Sequence, residues 1–269
     1  MSVVAATAAP AAPARRPPVP RPVAAAIAVA WALAIAAEAT GRGRLLHHDA
    51  LLGGDLPYAA ALALFLVSWQ AMVAAMMLPG TLPLLRLFAA ASAGQPRPGR
   101  ALAAFLGGYA VVWTAFGLLA LSGDAFVHTA VDASPWLRGH ASVIGAGVLA
   151  TAGAFQFSGL KDRCLSQCRH PAAFLLRHYR RGTGAAFALG RRHGLFCAGC
   201  CWALMLLMFA AGVSNLIWMA GLTALMLVER AVPGGARAVP IAGGALLAAA
   251  ALVLADPAWL PPLLGSARP

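Results

Sequence analysis

Long apolar stretches separated by short polar ones run along this chain from Val23 almost to its end. They occupy about Val23–Ala39, Pro57–Leu78, Ala101–Ser122, Gly139–Phe157, Gly194–Gly212, Asn215–Val228 and Val239–Ala255. Most are long enough to cross roughly 30 Å of hydrocarbon as helices. The sixth is short unless it borrows Gly212–Ser214, so the fifth and sixth must form a tight hairpin around Val213, Ser214 and Asn215. The pattern predicts an all-α fold, a polytopic transmembrane helix bundle of about seven spans. It becomes six if the first run is removed as a signal, since Ala37-Glu38-Ala39 resembles a signal-peptidase site. Residues 1–22 are rich in Ala and Pro, a composition that cannot pack a core. The domain reading is therefore a disordered cytoplasmic N-terminus over 1–22, a membrane domain over 23–256 and a short tail over 257–269.

Composition agrees with the pattern. Of 269 residues, 61% are hydrophobic and 10% charged, against roughly a quarter charged in a soluble domain. A net charge of +12 would suit nucleic acid, but the cations lie in the short segments between apolar runs, where topology signals lie; no nucleic-acid partner is expected. Alternating the segments places 16 of the 20 cations on one side and 4 on the other. That asymmetry puts the N-terminus in the cytoplasm. Together with abundant Ala, Gly, Pro and Arg, it points to a bacterial inner (plasma) membrane. The largest cytoplasmic feature is a Cys/Arg-rich loop, 158–193, with 8 of the cations. Within it, Ala172–Arg181 interleaves Phe174, Leu175, Leu176 and Tyr179 with Arg177, Arg180 and Arg181. This reads either as a short interfacial helix on anionic headgroups or as a snorkelling charged loop.

Cysteine usage brings in chemistry. All five cysteines, Cys164, Cys168, Cys197, Cys200 and Cys201, fall between residues 164 and 201. Cytosolic thiols stay reduced, so the cluster points to metal or redox work. On a helix, Cys197, Cys200 and Cys201 share an arc of about 100°, and Met205 and Met208 extend that face. Met72, Met76 and Met77 lie in the second span, Met219 and Met226 in the sixth. Thiolate and thioether are soft ligands, and softness selects Cu(I). The core ligands would be the cysteine triplet, with Cys164 and Cys168 a lid through which metal enters and Met72, Met76, Met77, Met205 and Met208 as weaker positions. Packing alone is the competing account of the methionines. Zinc is the alternative metal, since four cysteines could close a tetrahedral site. However, Cys164-x₃-Cys168 is not the usual C-x₂-C, and His170 and His193 are expected at the interface.

Other residues shape the picture less. Glu229 is expected to form a salt bridge to Lys161 or an Arg, and Gln156 to hydrogen-bond across helices. No ionisable residue falls mid-span, so a buried carboxylate relay is not expected. Without an ATP site or phosphorylatable Asp motif, an autonomous ATP-driven pump is excluded.

The stretch Trp69-Gln70-Ala71-Met72-Val73-Ala74-Ala75-Met76-Met77-Leu78-Pro79 resembles the DUF2182 family, described as predicted metal-binding integral membrane proteins. The resemblance continues through Phe155-Gln156, Lys161, Cys164, Cys168-Arg169 and Pro171. It then takes in Gly194, Cys197, Gly199-Cys200-Cys201-Trp202, Met205, Gly212, Asn215-Leu216, Trp218-Met219 and Glu229, so residues 60–233 are covered. Ser214 departs from it, standing where a methionine is expected. The resemblance implies a helical, metal-binding membrane protein.

These readings lead to a non-enzymatic membrane protein that binds a soft metal, Cu(I) first, for handling or transfer. Its expected partners are the lipid bilayer, anionic headgroups at the basic loop, and a metallochaperone or another membrane protein. Two alternatives stay open. Cys197-Ala198-Gly199-Cys200 near a helix start could serve a thiol–disulfide relay with Cys164 and Cys168, or the cysteines could simply pack within an assembly scaffold.

Overall fold

The computed structural model describes residues 17–41, 56–211 and 215–259. Among them the chain forms ten α-helices and no strand, so the all-α expectation holds. In chain order these are α1 (Arg21–Ala39), α2 (Tyr58–Ser92), α3 (Pro98–Ala133), α4 (Pro135–Gly139), α5 (Ala141–Phe155), α6 (Gly159–Arg169), α7 (Pro171–His178), α8 (Thr183–Ala211), α9 (Leu216–Ala231) and α10 (Ala238–Ala255). Four helical stretches are individually long and apolar enough to cross a membrane: Arg21–Ala39, Tyr58–Ser92, Pro98–Ala133 and Gly235–Ala255. The bent pair Ser142–Phe155 and Gly159–Arg169, which meet at 63°, qualifies only if taken together. The expected disorder of the first 22 residues falls mostly outside the described residues, as does the hairpin turn with Ser214, and the tail is described only to Trp259.

The polar segments are far more helical than the hydrophobic pattern predicts. Helix α2 runs 35 residues, straight through Pro79 and Pro83, where a span ending at Leu78 is expected. Proline at 79 removes the N–H that would bond the Ala75 carbonyl. The indole Nε1 of Trp31 on α1 donates to that carbonyl at 3.1 Å instead, so the freed acceptor is satisfied from a neighbouring helix. The expected loop 158–193 is likewise mostly helix. Ser158 caps α6, its Oγ accepting from the Lys161 N–H at 3.2 Å. Pro171 opens α7, and α8 starts at Thr183, eleven residues before the expected Gly194. Asn215 caps α9, its Oδ1 accepting from the Trp218 N–H at 3.2 Å.

Small residues let the long helices touch backbone to backbone. A methyl group at Gly108 of α3 would collide with the Phe187 carbonyl of α8, and one at Gly190 of α8 with the Phe105 carbonyl of α3. The two helices therefore cross at reciprocal glycines, and α8 lies in the middle of the fold. Helix α2 joins this pair through Trp69, whose Nε1 donates to the Trp113 carbonyl at 2.8 Å.

Three polar segments meet at one end of the molecule. Tyr179 donates to the Ala91 carbonyl at 2.7 Å, and the Gly182 N–H donates to Gln95 Oε1 at 3.1 Å. Lys161 reaches Glu229 at 2.8 Å. Segments 79–100, 158–193 and 229–238, which charge alternation assigns to one side, are thus neighbours in space.

Candidate metal centre

The cysteine triplet sits mid-helix, not at a helix start as its place in the apolar run suggests. Cys197 is the fifteenth residue of α8, roughly four turns in. Its three thiols are inaccessible, with Cys197 and Cys201 at 0% and Cys200 at 1% exposure. Their shared face meets three different surroundings. Cys197 Sγ lies 3.0 Å from the Tyr109 hydroxyl of α3. Cys200 Sγ accepts from Arg230 Nη2 of α9 at 3.3 Å and donates to the Cys197 carbonyl at 3.1 Å. Cys201 Sγ approaches Met77 Sδ of α2 at 3.7 Å. All five cysteines are free thiols.

Helix α6 forms the outer wall. It presses against α8 where Gly199 has no side chain; a methyl group there would come within 2.6 Å of Cys164 Sγ. Cys164 and Cys168 are 8% and 9% exposed, the outermost of the five thiols. Burial, with Cys200 adding to it, pushes the Cys164 thiol up. The nearby Cys200 and burial likewise push the Cys168 thiol well above the ordinary range.

Two ion-bearing contacts lock α6 onto the end of α9. Lys161 Nζ donates to Glu229 Oε2 at 2.8 Å, both side chains buried. Arg169 Nε donates to the Glu229 carbonyl, which lies among the last, otherwise unsatisfied carbonyls of the helix. The expected salt bridge of Glu229 is therefore present, with Lys161 as its partner. Arg230, one residue on, turns the other way, into the sulfur cluster, with Nη2 4.0 Å from Met77 Sδ.

Several sequence expectations need correction. Although ionisable residues are absent mid-span in the apolar runs, Lys161, His193, Glu229 and Arg230 are all buried in the bundle. The helices extend past the apolar runs and enclose the run ends. His193 is not interfacial: it stacks on Tyr109 with ring centroids 5.9 Å apart and packs against Phe105 and Phe174. His170 is exposed, with Nδ1 2.8 Å from the Ser166 carbonyl. Gln156 is buried, yet neither amide atom has a hydrogen-bond partner among the described residues. Phe174 and Leu175 of α7 turn into the bundle while Leu176 is 86% exposed, so only part of the short helix presents an apolar face outward.

Of the candidate ligands, the structure brings Cys201 to Met77 and Cys200 to Arg230, with Cys164 against Gly199 and Cys197 turned to Tyr109. Met72, Met76, Met205 and Met208 are buried in the same core. Arg230 and Tyr109 were not legible as site residues, because an arginine beside a span end reads as a topology signal and a lone tyrosine as an interface aromatic. Among the described residues, no three His, Cys, Asp or Glu side chains are arranged to hold one metal ion. The closed tetrahedral set that structural zinc takes is thus not assembled. What is assembled is a group of soft sulfur donors beside one buried guanidinium.

That chemistry has a counterpart among known families. A profile of the PpoB2 family, described as copper chaperone, matches residues 66–253. The chain belongs to this copper chaperone family. The matched region holds all five cysteines and every methionine named above as a candidate ligand. It bears out a copper-related family and copper handling, under a family name other than DUF2182. No curated protein and no solved structure matches the chain.

Proposed function

We propose that this member of the copper chaperone family is a multi-pass protein of a bacterial inner membrane that binds Cu(I) and passes it on, without catalysing a reaction. The observation that carries the reading is the buried sulfur cluster in which Cys201 of α8 meets Met77 of α2 and the neighbouring Cys200 meets Arg230 of α9. Cu(I) is soft and accepts few ligands, so two thiolates with a thioether at hand suit it, whereas hard cations would gain nothing from these donors. In this reading the cluster lies at the cytoplasmic end of a seven-span domain over 23–256. Cys164 and Cys168, the outermost thiols, receive the metal; Cys200 and Cys201 hold it; Met77, a weaker thioether ligand, is the exit position. A cytosolic metallochaperone or a membrane partner would exchange copper at α6.

The relay alternative has one point in its favour, the closeness of Cys168 to Cys200. Against it stands the burial of all five thiols, since exchange needs access for the attacking sulfur. A single experiment separates the two. The reduced protein is alkylated in detergent with and without Cu(I), and thiols and disulfides are counted by mass. Protection of Cys168, Cys200 and Cys201 by Cu(I), and its loss in Cys200→Ser but not in Met219→Leu, is the expected result. Reversible Cys168–Cys200 disulfide with no copper protection would replace this reading with the relay.

A further inference from the structure

We propose that Arg230 is the counter-ion that fits this sulfur site to a monovalent metal and against a divalent one. The inference rests on the copper reading above and adds a specificity-determining residue to it. Arg230 is 7% exposed. Its Nη2 lies 3.3 Å from Cys200 Sγ and 4.0 Å from Met77 Sδ, so the guanidinium occupies the space between α2, α8 and α9. Room for it comes from Gly80, where a methyl group would come within 3.0 Å of Nη1 and 3.2 Å of Cδ.

No carboxylate among the described residues forms a salt bridge with Arg230. Its neighbour Glu229 is committed to Lys161 at 2.8 Å, and that pair neutralises itself. Arginine keeps its proton in proteins, so the charge at Arg230 is permanent, and an uncompensated buried charge is strongly unfavourable. The guanidinium's hydrogen-bond contacts are to sulfur, Cys200 Sγ and Met77 Sδ. Two thiolates around a monovalent ion carry one net negative charge, which Arg230 cancels. The same two thiolates around a divalent ion are neutral and leave the guanidinium unpaired. Softness alone cannot make this distinction, because soft divalent ions such as Cd(II) also prefer sulfur. Charge can.

The test uses Ag(I) and Cd(II), two soft ions that differ in charge and need no reductant to hold their valence. Their affinities are measured on the purified full-length protein in detergent by competition with a chelator, for wild type, Arg230→Lys and Arg230→Gln. The lysine keeps the charge; the glutamine keeps hydrogen-bonding capacity without it. Removing a unit charge a few Å from the metal should weaken Ag(I) binding by about tenfold or more in Arg230→Gln. Cd(II) binding should hold or tighten, and Arg230→Lys should stay near wild type in the Ag(I)/Cd(II) ratio. A helical spectrum and melting temperature show whether each variant is folded. If Arg230→Gln is misfolded, a changed Ag(I)/Cd(II) ratio in Gly80→Ala, which displaces the guanidinium while keeping it, replaces it as the decisive variant. An unchanged ratio in the folded variant overturns the charge-matching role. Wild-type protein that binds no Ag(I) overturns the copper reading itself, a different result.

Discussion

Glu229 and Arg230 are adjacent in sequence, yet their side chains serve opposite ends of one problem. Glu229 pairs with Lys161 in the low-dielectric interior, and Oε1 of the carboxylate has no partner among the described residues. A buried pair of this kind adds little net stability, but breaking it leaves one charge stranded. Lys161→Met alone or Glu229→Leu alone should therefore destabilise the protein by about 3–5 kcal/mol. The double variant should recover most of that loss, because no lone charge remains. Thermal melts in detergent of the four proteins check this, and equal additive losses would show that the two side chains do not act as a pair. The Arg169 bond to the Glu229 carbonyl survives in every variant, so α6 should stay attached to α9. At the same scale, Gly199→Ala puts a methyl group within 2.6 Å of Cys164 Sγ. Overpacking costs typically about 1–3 kcal/mol, and the variant should make Cys164 react faster with a small alkylating reagent as α6 is pushed outward.

Helix α8 shows which parts of an element a sequence reveals. Its apolar half was legible, because Gly194–Gly212 is an unbroken run, and the spacing of Cys197, Cys200 and Cys201 placed three thiols on one face. The runs place Met77 and the cysteine triplet toward the same side, but the Cys201–Met77 contact itself appears only in the fold. The basic half was not legible. Thr183–His193 holds Arg191, Arg192 and His193, and charge beside a span reads as loop under the topology rule. What makes it helix is tertiary: Gly190 and Gly194 face α3 closely, and His193 is caged by Tyr109, Phe105 and Phe174. Arg230 escaped notice for the same reason, since only the folded chain shows that its end of α9 is covered by α2 and α6. The reciprocal glycines make the dependence testable. Gly190→Val would drive a branched side chain into the Phe105 carbonyl, a backbone atom that cannot rotate away. The bundle should lose stability by more than the about 1–3 kcal/mol of ordinary overpacking, whereas Gly147→Val, which meets nothing within 4 Å, should melt near wild type.

At the scale of the whole molecule, charge and geometry make the same division independently. Charge alternation groups segments 79–100, 158–193 and 229–238 on one side, using only the order of apolar runs. The fold brings the same three segments together through Tyr179–Ala91, Gly182–Gln95 and Lys161–Glu229 contacts. Helices α2 and α3 run 35 and 36 residues, about 52 Å and 54 Å of rise. Each exceeds the roughly 30 Å hydrocarbon core, so each is long enough to reach past it. The sulfur site lies where α2, α3 and α9 meet the middle of α8. On the proposed function, the compartment that the joined segments face is where copper would be received, and the positive-inside rule predicts the cytoplasm. Reporter fusions test the assignment at two breaks between helices. Ser134 separates α3 from α4, and Gly182, with φ +105°, precedes α8. A reporter active only outside the inner membrane should be active after Ser134 and silent after Gly182. The reverse pattern would place Cys164 and Cys168 outside, in an oxidising compartment where thiols pair, and cytoplasmic delivery of copper to this site would have to be abandoned.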